Sequence, residues 1–82
     1  MCRNITTLRG LEPSASNEEV EAAARQYVRK VTGVQKTSAA TEEAFERAVA
    51  IIAEATGLVL EELPARKVPP KTVPPLRRLA ST

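Results

Sequence analysis

The sequence predicts an all-α fold: an antiparallel helical hairpin with an N-terminal arm and a disordered proline-rich tail. Three observations predict it. A capping signature at Ser16-Asn17-Glu18-Glu19 opens one stretch of helical apolar spacing. A second such stretch opens near Thr41, and five of the six prolines fall after residue 63. With 82 residues there is room for one small domain. It is placed at 1–63, with a separate tail at 64–82.

The arm comes first. Ile5, Leu8 and Leu11 recur at threes before Pro13. That spacing allows a short helical turn or an extended segment lying on a core, and the sequence does not choose between them.

The first helix is expected at about 17–32. The Ser16 hydroxyl can accept from the Glu19 backbone N–H, and the Glu19 carboxylate can accept from the Ser16 N–H. Glu18, Glu19 and Glu21 suit the positive end of the helix dipole. Val20, Ala23, Ala24, Tyr27, Val28 and Val31 form an apolar face spanning roughly 140° at 100° per residue. On this face Tyr27 is expected in the core, its hydroxyl reaching the edge. Glu21 stands four residues before Arg25, and Gly33 supplies a stop.

A polar connection, VQKTSAA, leads to the second helix at about 41–62, capped by Thr41 or Ser38. Phe45, Ala48, Val49, Ile52, Thr56, Val59, Leu60 and Leu63 share one face, and Ala44, Ile51, Ala55 and Leu58 widen it. The apolar sector reaches roughly 220°, more than one partner helix covers. Gly57 marks a bend or an early end, and Pro64 stops the helix.

This excess is the main functional signal. Two alanine-rich helices without a disulfide bury little surface for their length. A homodimer through the second helix, centred on Ile51, Ala55 and Leu58, is the first reading. Another protein as partner, or a monomer in which the Ile5/Leu8/Leu11 arm covers that surface, is the alternative.

Composition excludes much chemistry. The chain has no His, no Trp and a single Cys, so a His-based triad, a His-ligated zinc and a multi-cysteine metal site are ruled out within one chain. No cofactor is called for. Cys2 is the one candidate catalytic residue: with Met1 removed, its thiol and free amine could act as nucleophile and base or hold a metal, and Arg3 favours the thiolate. A thiol-based enzyme or metal-binding protein is therefore the alternative function, set against an incidental thiol. Arg3, Arg9, Arg25, Arg29 and Lys30 form a candidate anion-binding set if the arm lies beside the first helix. A solvated, salt-bridged face is the plainer reading.

Charge is divided along the chain. Residues 1–63 hold seven bases and ten acids, whereas 64–82 hold Arg66, Lys67, Lys71, Arg77 and Arg78 and no acid. The tail has a second alternative role in weak, salt-sensitive nucleic-acid binding without sequence readout. No apolar run approaches the ~20 residues of a membrane span. MCRNITTLRG has no apolar core, so it does not read as a signal peptide. A cytoplasmic location is expected, in keeping with one cysteine.

The order MCRNI, LRGLEP, QYVRKVTG, EEAFERAVAIIAEAT resembles a family of short bacterial proteins classed as a domain of unknown function, number twenty-two seventy-seven. The resemblance runs over residues 1–63, leaves the tail outside, and implies a bacterial setting but no mechanism. Architecturally, the two helical stretches are also similar to helices two and three of J-domain co-chaperones. The connecting GVQKTSAA lacks their His-Pro-Asp, which supports a hairpin and argues against co-chaperone activity.

Overall fold

A computed structural model describes the backbone over residues 5–80 and the side chains over residues 5–77. Three helices occur there: α1 (Asn17–Thr32), α2 (Glu42–Glu62) and α3 (Pro75–Ala80). The two long helices form the expected hairpin.

α1 begins as its sequence dictates. The Glu19 N–H donates to Ser16 Oγ at 3.1 Å, and the Ser16 N–H donates to Glu19 Oε1 at 2.8 Å. It ends at Gly33, whose φ of 75° is the left-handed conformation that favours glycine and whose N–H donates to the Arg29 carbonyl.

α2 starts differently from expectation. Thr41 occupies the cap position, but its hydroxyl makes no bond to the helix. It accepts from the Ser38 N–H at 2.9 Å instead. The cause is backbone geometry: Thr41 has φ −111° and ψ −16°, and a hydroxyl caps when its residue is extended. The Glu42 N–H is satisfied by the Ser38 carbonyl. The helix runs straight through Gly57 and stops at Leu63, before Pro64.

The core has two parts. Near the connection, Ala24 and Val28 of α1 meet Phe45 and Val49 of α2, with Val34, Ala48, Ile52 and Ala53 at the margin. At the open end, Leu8 and Leu11 of the arm pack on Val20, with Ala15, Ala23, Ala53 and Leu60 around them. The arm therefore lies on the core and closes the mouth of the hairpin.

Two residues of the apolar face of α1 stay outside the core, as do Val59 and Leu63 of α2. Tyr27 is half exposed and Val31 more so. Tyr27 borders an open apolar groove with Ile5, Ala23, Ile52 and Thr56. Tyr27 lies toward one flank of the buried arc, whereas Val31 shares the direction of the buried Val20 and Ala24 and is exposed in the last turn of α1.

Residues 64–74 have no regular structure, in keeping with their prolines. The chain from Pro64 on is nevertheless not free of the hairpin. Pro74 is buried, and Arg77 reaches the start of α1. Nearer the helix, Gly10 has φ 90°, and a Cβ there would stand 2.9 Å from the Cβ of Arg66. Arm and tail thus touch at a point where only glycine fits.

Candidate interaction surface

The widest unpartnered surface belongs to α2. Phe45 and Val49 point at α1 and are buried. Roughly 100–160° round the axis from them lie Leu58, Ile51 and Ala55. All three are exposed, Ile51 at 59% and Leu58 at 50%. Exposed Ala44 and half-buried Ala48 continue the stripe toward the start of the helix. The arm does not cover it, because Leu8 and Leu11 sit instead over Val20, Ala53 and Leu60.

A polar node holds the other side of the molecule. The Glu19 carboxylate is 5% exposed and accepts from Arg77 Nε at 2.6 Å and Nη2 at 3.1 Å. Arg77 Nη2 also donates to the carbonyls of Pro13 and Ser14. One guanidinium so joins the tail, the arm and the first turn of α1. These bonds, Arg77 first, hold the Glu19 carboxyl below the usual carboxylate range, although burial opposes the shift.

The two helices are pinned by a second ion pair. Arg25 donates to both oxygens of Glu46 at 2.7 and 2.9 Å, and to Glu21 at 3.3 Å. Its guanidinium also stands 5.9 Å from the centre of the Phe45 ring. The Arg25 bond, helped by the charge of Arg29, lowers the Glu46 carboxyl, and Glu46 in turn raises the Arg25 guanidinium.

A family model described as "Uncharacterized conserved protein (DUF2277)" matches residues 1–82. The chain belongs to the DUF2277 family. The match takes in the tail, which corrects the expected limit at residue 63. The structure gives a reason, since Pro74 and Arg77 are packed against the hairpin. No curated protein and no solved structure matches the chain.

The expected anion-binding set of this DUF2277 chain is spread out rather than gathered. Arg25 and Arg29 line an open cleft of about 300 Å³ on α1, beneath Pro75 and Leu76 and beside Glu18 and Glu21. Arg25 is engaged with Glu46, whereas the Nε of Arg29 is buried without a partner among the described residues. Arg9 borders a different cleft, where its guanidinium donates twice to the Pro64 carbonyl at 3.0 and 2.7 Å. Lys30 is exposed and lines neither cleft. Cys2 and Arg3 lie outside the described residues. Among those described, no three His, Cys, Asp or Glu side chains gather as a metal site, and no helix is long and apolar enough to cross a membrane.

Sequence reasoning missed Arg77, Pro74 and Glu46 as partners. Arg77 and Glu19 are separated by 58 positions, and no local periodicity links them. One available signal was overlooked on α2. Positions 44, 48, 51, 55 and 58 alternate steps of four and three, the spacing of a helix-pairing seam.

Proposed function

We propose that this DUF2277 protein is a small helical interaction module that self-associates through α2. The observation supporting this reading is the apolar stripe of Ile51, Ala55 and Leu58, exposed among the described residues, with Leu58 at the edge of an open cleft beside α1. A core of seven buried apolar side chains among the described residues has much to gain from a second copy. The single cysteine fits a reducing compartment, so we place the module in the cytoplasm.

Sedimentation equilibrium of the full chain over a range of concentrations tests this. A reversible monomer–dimer equilibrium is expected. Ile51→Glu and Leu58→Glu, both on exposed positions, are expected to leave helicity unchanged and abolish the dimer. A chain that stays monomeric at every concentration, or variants that dimerise as the parent does, overturns the reading.

A further inference from the structure

The α2 stripe has a direction as well as a location. Ala44, Ala48, Ile51, Ala55, Leu58 and Glu62 stand at intervals of four and three; all are exposed except Ala48, which is half-buried at the core margin, and Leu58 borders an open cleft with Asn17 and Val20 of α1. This is the spacing of a two-helix pairing seam. Resting on the self-association reading, we propose that two copies pair α2 antiparallel, with the two-fold axis beside residue 53.

Side-chain size favours that arrangement. In a parallel pair each seam residue meets its own copy, giving layers of Ala on Ala, Ile on Ile, Ala on Ala and Leu on Leu. The helices would have to approach and separate alternately along their length. In the antiparallel pair, Ala48 faces Leu58 of the second copy, and Ile51 faces its Ala55. Each of these layers then holds one large and one small side chain, which packs at a constant separation.

Charge supplies an independent reason. Arg47, Glu54 and Glu61 are exposed on the flank of the seam opposite Phe45 and Ile52, where Glu54 and Glu61 also border the open cleft with Asn17 and Glu21 of α1. The antiparallel register sets Arg47 of each copy beside Glu61 of the other, forming two ion pairs by symmetry. Arg47 can reach them: it is 63% exposed, and its bond among the described residues is to Glu43, itself 88% exposed. Glu54 meets its own copy near the axis. That repulsion is a single solvated contact against two attractions. In a parallel pair Arg47 and Glu61 would lie about 21 Å apart along the axis.

A charge swap read by sedimentation equilibrium of the full chain tests the register. Arg47→Glu and Glu61→Arg are each expected to weaken dimerisation roughly tenfold, since each turns two attractions into repulsions. Combined in one chain, they are expected to restore the parent affinity to within about twofold. Circular dichroism checks that each variant keeps its helix content. Singles without effect, or a double variant as weak as either single, overturn the antiparallel register even where the parent dimerises. A monomeric parent overturns the self-association reading beneath it, so the two failures are distinguishable.

Discussion

Glu19 shows how much one side chain can hold together. Its carboxylate closes the capping box of α1 and receives Arg77 from the tail. Because its pKa is lowered in the folded chain, the stabilisation is fully present above its ordinary value of 4.5 and is lost as pH falls through the lower folded value. Glu19→Gln removes the charge at every pH. It is expected to reduce stability by about 1–3 kcal/mol at neutral pH and to flatten the acid limb of the stability curve. Urea midpoints measured by circular dichroism from pH 7 downward check both. A variant with the parent's acid sensitivity would show that another group carries the acid transition. Half of this node was legible in the sequence: Ser16 and Glu19 stand three positions apart, at cap spacing, so the local bonds follow from these two residues. The other half was not, because the Arg77 contact depends on the path of an irregular, proline-rich segment with no repeating pattern to read.

The helices were the most legible elements. Their limits follow from punctuation that acts locally: Ser16 and Gly33 around α1, Pro64 after α2. Thr41 took its position but not its expected bond, because the backbone at 38–42 forms a turn that composition alone does not specify. Tyr27 and Val31 failed as core residues for a different reason. Helical periodicity says which residues share a face but not how much of that face the neighbour covers. The same limit applied to Glu46, whose pairing with Arg25 depends on the rotation of α2 against α1. Gly57 carries the clearest expectation at this scale. It lies inside α2 with ordinary helical φ, and a Cβ there meets nothing within 4 Å. Gly57→Ala is therefore expected to stabilise the chain by about 1 kcal/mol, seen as a higher urea midpoint with an unchanged slope. A lower midpoint would mean that the backbone needs freedom at this point.

Across the whole molecule, stability depends on two long-range clamps. Arg9 of the arm holds the Pro64 carbonyl, and Arg77 of the tail holds Glu19 and the carbonyls of Pro13 and Ser14. Both fasten the arm over the Leu8–Leu11–Val20 cluster. Removing either should loosen the same segment, so their effects should not add. Arg9→Ala and Arg77→Ala are each expected to cost about 1–2 kcal/mol. The double variant should fall short of their sum by at least about 0.5 kcal/mol. A double-mutant cycle from urea midpoints measures the coupling, and strict additivity would mean that the clamps act on separate parts of the fold.

Both clamps lie toward the open mouth of the hairpin and leave its opposite end unencumbered. The connection after Val34 presents Gln35 and Lys36 to water. A reporter peptide spliced in after Gln35 would hang clear of the arm, the tail and the α2 stripe. A label joined just beyond Arg77 would instead crowd the first turn of α1. The bend between the helices is thus the natural grafting point for following this molecule without disturbing what fastens it.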